Sequence, residues 1–114
     1  MTEPTLFEKI ISREIVADIV YEDELCISFR DIAPQAPLHV LLCPKIPLKM
    51  LSDAVDADGE LLAHLLLTAP RVARLLGYTE GFRLVVNNGS DAGQTVFHLH
   101  LHILAGRPFD WPPG

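Results

Sequence analysis

Very little in this chain could cross-link it, hold a long polyanion or bury it in lipid. Its two cysteines, Cys26 and Cys43, lie in apolar, strand-like runs without ligand-pair spacing. They read as buried free thiols, not as a disulfide framework. Basic residues are outnumbered, with 9 Lys and Arg against 15 Asp and Glu and a formal net charge of −6. A protein that releases counterions from many phosphates needs the opposite balance, so nucleic acid is not an expected partner. No apolar stretch approaches the roughly 20 residues of a membrane span, and no basic start leads into an apolar run. A cytoplasmic protein with no membrane partner is therefore expected. Repeats and low-complexity segments are absent as well.

What is present suits one α+β domain over residues 1–114. Hydrophobic residues make up 49% of the 114, enough for a packed core, while the length leaves no room for a separate substrate domain. The spacing of Leu6, Phe7, Ile10 and Ile11 predicts a short amphipathic helix from Thr5 to Arg13, opened by Pro4. Ile19–Tyr21 and Cys26–Phe29 flank a polar Glu22–Asp23–Glu24 turn and read as a hairpin. Pro34 and Pro37 enforce a loop, and His39–Cys43, bounded by Pro37 and Pro44, reads as a central strand. Asp56 or Asp58 can cap a second helix reaching Leu76, with Gly77 as its stop. Pro70 predicts a bend or a break in it. Phe82–Val86 and Val96–Leu104 complete five strands, separated by the turn-rich segment Asn87–Thr95.

The chemistry concentrates in His98–Leu99–His100–Leu101–His102. Side chains on a strand alternate with period two, so three histidines on one strand share a face, about 6.6 Å apart along the backbone. Two such imidazoles can touch one phosphate-sized group. Burying all three without a role would leave ring nitrogens unpaired, at about 1–3 kcal/mol each. Zinc is the rival reading, because neutral imidazole is a common zinc ligand and His39 offers a further one. Against it, no acid lies inside the triad. The preceding segment, Asn87-Asn88-Gly89-Ser90-Asp91-Ala92-Gly93-Gln94-Thr95, can turn backbone amides inward as an anion-binding nest without any lysine or arginine.

The run from Gly93 to Leu104, the ending Trp111-Pro112-Pro113-Gly114 and the segment from Phe29 to His39 together resemble the histidine triad (HIT) family, and more narrowly its Hint branch of purine nucleoside phosphoramidases. The resemblance covers nearly the whole chain. It implies a five-stranded antiparallel sheet with two main helices, pairing into a ten-stranded sheet in a homodimer, and no cofactor or metal. It implies that His100 attacks phosphorus to form a nucleotidyl-histidine that water resolves. His98 and His39 would orient the site, and His102 would stand near the leaving group.

By the same resemblance, Asp31 would bind ribose, and Leu6, Phe7, Ile10, Phe29 and Ile32 would form the base slot. Gly93, Thr95 and Asn87 would hold phosphate oxygens, with Gln94 and Trp111 counted among the substrate-binding residues of the same motifs. The implied substrate is a purine nucleoside monophosphate derivative, an AMP or GMP conjugate such as an adenosine phosphoramidate or an aminoacyl adenylate-like compound. The alternatives are a nucleotide-binding scaffold, a dinucleoside polyphosphate hydrolase and a metal-dependent phosphohydrolase. Thr95 stands where a serine is common, Val16 where a proline is, and Asp110 where the branch has histidine. Pro70 is unusual for the second helix.

Overall fold

The structure, a computed structural model, describes residues 3–114. Helix α1 (Leu6–Ile11) begins at a reciprocal cap in which the Thr5 hydroxyl accepts from the Glu8 amide and the Glu8 carboxylate accepts from the Thr5 amide, both at 3.2 Å. Strands β1 (Ile19–Glu22), β2 (Cys26–Arg30), β3 (Leu38–Pro44), β4 (Arg83–Val85) and β5 (Leu101–Ala105) form one antiparallel sheet in the order β1-β2-β3-β5-β4. β3 is the central strand, as its apolar run predicts, and all seven of its residues are buried.

Period-two alternation divides the sheet into two faces. Cys26, Leu38, Val40, Leu42, Leu101, Ile103 and Ala105 pack under helix α2 (Gly59–Leu75). That helix buries Leu65, Thr68, Ala69, Val72 and Ala73, a spacing that keeps one stripe inward. Each large apolar side chain so buried contributes about 1.5–3 kcal/mol, which is what holds a helix of this length to a sheet. The opposite face carries Ile27, Phe29, Leu41 and Cys43, covered by Phe7 and Ile10 of α1. Both cysteines are free and buried, and burial pushes each thiol up to about 12.

Two expectations need correction. Of the bend or break expected at Pro70, the break does not occur: α2 runs through it to Leu75, and Gly77 follows at φ 93° as the stop. The Leu66 carbonyl that Pro70 leaves without a donor belongs to a turn whose Leu66 and Leu67 side chains are exposed, where water can take it. The last strand is also shorter than Val96–Leu104. Its ladder with β3 stops at Leu42 opposite Leu101, because Pro44 on β3 has no N–H with which to continue it. The Leu99 amide donates instead to the Leu48 carbonyl at 2.6 Å.

Candidate active site

The shortened strand changes how the histidines stand. His102 lies on β5, opposite Leu41 of β3 and Val85 of β4. His100 lies just before the strand, with its ring centroid 5.1 Å from that of His102. His98 lies in the irregular lead-in, 1% exposed, its Nε2 donating to the Pro44 carbonyl at 2.7 Å and its ring 6.3 Å from Phe7. The expectation that all three imidazoles present themselves together is therefore corrected. Two reach the cavity, and the third is buried and anchors the lead-in to the end of β3.

The cavity has a volume of about 660 Å³, within the range of small-molecule sites. His100 and His102 line it together with Asp31, Asn87, Gly93 and Thr95, and with Leu6, Phe7, Ile10, Phe29 and Ile32 on the apolar side. The apolar five come from α1, from β2 and from the loop after it, so the slot is made where α1 crosses the sheet. Four expected residues do not line the cavity: His39, His98, Gln94 and Trp111. Trp111 is 85% exposed and is not brought to the cavity of its own chain. A second hollow of similar size, around Arg83, Arg107 and Phe109, carries none of the histidines.

The hydrogen bonds fix which ring nitrogens carry protons. The Gln35 amide donates to His39 Nδ1 at 3.0 Å, so neutral His39 keeps its proton on Nε2. That Nε2 lies 2.9 Å from His102 Nδ1, which must accept, and the His102 proton therefore sits on Nε2. His100 Nδ1 donates to the His98 carbonyl at 2.8 Å, which leaves Nε2 as the nitrogen with a free lone pair. Two backbone groups thus set a bare nitrogen on His100 beside an N–H on His102.

Electrostatics keep these rings neutral. Burial lowers the pKa of His100, opposed by its bond to the His98 carbonyl. Burial, and then the like charges that His100 and His39 would carry, push His102 down to about 4. Burial likewise lowers His39, opposed by Asp31, whose Oδ2 is 3.5 Å from His39 Nε2. The other Asp31 oxygen accepts from the Ala33 amide at 2.8 Å. Asp31, His39 and His102 bring donor atoms within 4.8 Å of one another and so could hold a metal ion.

The loop after β4 is built around Gln94 instead of presenting it. Its side-chain oxygen accepts from the Gly89 amide at 2.8 Å, and its nitrogen donates to the carbonyls of Lys49 at 2.8 Å and Val96 at 3.0 Å. Gln94 is buried at 3% exposure, which corrects its expected contact with substrate to a positioning role. Gly93 turns the chain at φ 92°, but its amide donates to the Ser90 carbonyl at 3.0 Å and is not free for an anion. The Thr95 amide has no such partner among the described residues.

Sequence reasoning missed several lining residues: Ile15, Val16, Ala17, Asp18, Arg30, Leu41 and Val96. Leu41 was legible in principle, since it shares a pleat face with His39 on β3. Residues 15–18 were not, because they reach the cavity only through the reversal at Arg13, a non-glycine residue at φ 67°.

An antiparallel sheet whose two interacting histidines face an apolar slot and a glycine-turned loop defines a class, and comparison with known proteins names it. Residues 12–109 match the HIT domain family, to which the chain belongs. It is 65% identical over its full length to a HIT-like protein of Synechocystis, all of which is covered. It is 48% identical to the adenylylsulfatase HINT1 of Arabidopsis thaliana, over 97% of this chain and 77% of that protein. Among solved structures, a HIT family hydrolase from Legionella pneumophila superposes with a TM-score of 0.94 at 48% identity, covering 97% of this chain and all of that one. No helix of the described residues is long and apolar enough to cross a membrane.

Proposed function

We propose that this protein hydrolyses purine nucleoside 5'-phosphoramidates, in the manner of an adenosine 5'-monophosphoramidase, with residues 1–114 acting as one domain. The observation that carries the reading is the Nδ1 bond from His100 to the His98 carbonyl. It fixes the tautomer in which Nε2 can attack phosphorus while His102 Nε2–H stands beside it. The base would enter the apolar slot, the ribose would meet Asp31, and the phosphate oxygens would meet the Thr95 amide and Asn87.

Attack by His100 Nε2 forms the phosphorus–nitrogen bond of a nucleotidyl-histidine as the bond to the leaving nitrogen breaks. The leaving amine needs a proton, which reaches it through His102 Nε2 or the Thr95 hydroxyl and is replaced from solvent. His39 holds His102 in the donating tautomer. Water then releases the monophosphate and restores His100. A homodimer belongs to the same reading, and light scattering should find about twice 12.6 kDa.

A second leaving group is favoured by the identity to a protein named adenylylsulfatase. Sulfate departs as a stable anion and gains less from protonation. The experiment compares kcat/KM for adenosine phosphoramidate, adenylyl sulfate, a dinucleoside polyphosphate and ATP at one ionic strength, with mass spectrometry of the quenched protein. An added nucleoside monophosphate on His100, with the phosphoramidate preferred over ATP, is expected. Turnover without any adduct would remove the covalent mechanism. Preference for adenylyl sulfate would move the assignment to that leaving group.

A further inference from the structure

On the helix-covered face, away from the cavity, a second set of chemically capable side chains converges. The turn from β1 to β2 is closed by the Asp23 amide donating to the Cys26 carbonyl at 3.0 Å. Asp23 Oδ1 accepts from the amides of Leu25 at 2.8 Å and Cys26 at 2.9 Å and lies 3.4 Å from the Cys26 sulfur. Oδ2 accepts from the Tyr21 hydroxyl at 2.8 Å and from His64 Nε2 at 2.7 Å. A carboxylate and a thiol three residues apart on a tight turn have the spacing that metal-binding turns use for their first two ligands. His64, from α2, supplies a third, and the donor atoms of all three lie within 4.8 Å of one another.

A hydrogen-bonded Asp closing a turn would account for Asp23 and Tyr21. It does not account for Thr68. One helical turn after His64 and therefore on the same side of α2, Thr68 is wholly buried, and its hydroxyl finds no oxygen or nitrogen partner, only a weak contact with the Cys26 sulfur. A buried hydroxyl without a full partner costs about 1–3 kcal/mol, and here it stands beside one of the three ligand atoms, the Cys26 sulfur. The nearby cation Lys45 is engaged by Glu22 at 2.8 Å. One carboxylate and one thiolate also neutralise a divalent ion, so the filled site carries no net charge into the core.

We propose that Asp23, Cys26 and His64 form a structural site for a divalent ion of the zinc class, with the Thr68 hydroxyl or a water as fourth donor, tying the β1–β2 turn to α2. The mixed sulfur, nitrogen and oxygen set suits zinc over the harder magnesium or calcium. The site is independent of the nucleotide reading, because it lies on the other face of the sheet and shares no residue with the cavity.

Cobalt titration of the metal-free protein tests it. Cobalt bound at this site gives a sulfur-to-cobalt charge-transfer band in the near ultraviolet together with the visible bands of four-coordinate cobalt, saturating at one ion per chain and displaced by zinc. Asp31, His39 and His102 contain no sulfur and cannot produce that band. Cys43→Ser should keep it, while Cys26→Ser and His64→Ala should lose it. His64 is partly exposed, so His64→Ala decides the matter even if the buried Cys26→Ser fails to fold. Saturating zinc should raise the Tm of the natural protein by about 5 °C more than that of His64→Ala, in which Asp31, His39 and His102 remain to bind zinc, and without zinc the turnover of both should be alike. Absence of the band, its persistence in His64→Ala, or an equal zinc-induced rise in both proteins would overturn the site.

Discussion

His102 on the cavity face and His64 on the helix face each have a ring nitrogen committed to a neighbour, at 2.9 and 2.7 Å, but the neighbours differ in kind. His102 meets a second imidazole whose tautomer is set by a backbone amide, and burial with like charge keeps it neutral. His64 meets a carboxylate that His64, two amides and a tyrosine hydroxyl hold well below the usual range against the opposing effect of burial. The same residue type is thus arranged on one side to stay uncharged at the cavity and on the other to sit against negative charge. Neutral imidazoles suit attack and hydrogen-bond donation. An imidazole beside an acid and a thiol suits a cation.

The largest effect that could break this division is at His100, the proposed nucleophile. His100→Ala is expected to lower kcat/KM for adenosine phosphoramidate by at least about 10⁴-fold, while nucleotide binding, measured by calorimetry, is largely kept. The slot and the Thr95 amide do not depend on that ring. A mutant that still forms the nucleotidyl adduct would place the nucleophile elsewhere.

Acid should act next, and through the cavity face. His102 titrates near 6.5 in the unfolded chain and near 4 in the fold, so between those values the unfolded state binds more protons. Stability is therefore undiminished above about pH 6.5 and falls as the pH drops toward 4, by about 3 kcal/mol from His102 alone. Urea melts from pH 8 to 4 measure this. Because burial also lowers His100, kcat/KM should stay level down to pH 6.5 and lose its acid limb only below it. A limb above 6.5 would show that the attacking group is not a buried neutral imidazole.

The loop offers a smaller test that separates positioning from contact. Gln94→Ala removes the bonds to the Gly89 amide and to the Lys49 and Val96 carbonyls. A loss of about 2 kcal/mol is expected, with a fall in kcat/KM that Gln94→Glu does not restore, since its second carboxylate oxygen would face the Lys49 and Val96 carbonyls as acceptor against acceptor. Unchanged stability with a raised KM would return Gln94 to direct substrate contact.

The sequence spoke most clearly where one local rule decided the outcome. Alternation placed Leu101 and Ile103 opposite His102, apolar boundaries placed β3 at the centre, and the motif residues from α1 and β2 do line the cavity. It was least clear where a distant residue intervened. The lead-in to β5 is irregular because Pro44, on another strand, cannot pair with it, and that turns His98 from a cavity residue into a buried anchor. Gln94 looked like a loop residue facing a ligand, whereas three backbone partners draw it inward. The Asp23, Cys26 and His64 set was hidden for the same reason. Asp23-Glu24-Leu25-Cys26 is visible as a spacing, but nothing local shows that α2 brings His64 to it.

The smallest expected effect probes the helix face. Thr68→Val replaces a hydroxyl by a methyl of nearly the same shape. Ordinarily such a change removes a hydrogen bond and destabilises. Here the hydroxyl has no oxygen or nitrogen partner and only a weak contact with the Cys26 sulfur, so its desolvation is poorly compensated and valine should remove most of that cost. In the presence of a chelator, Thr68→Val is expected to be more stable than the natural protein by about 1 kcal/mol, read from the urea midpoint at unchanged slope. Turnover should not move, because Thr68 faces the side of the sheet opposite His100. With zinc present the advantage should narrow or reverse, since valine offers the ion no oxygen. Destabilisation by more than about 1 kcal/mol in chelator would mean that the hydroxyl is already satisfied in the metal-free protein, and the contrast between a neutral, reactive face and a cation-holding one would then lose its buried oxygen donor.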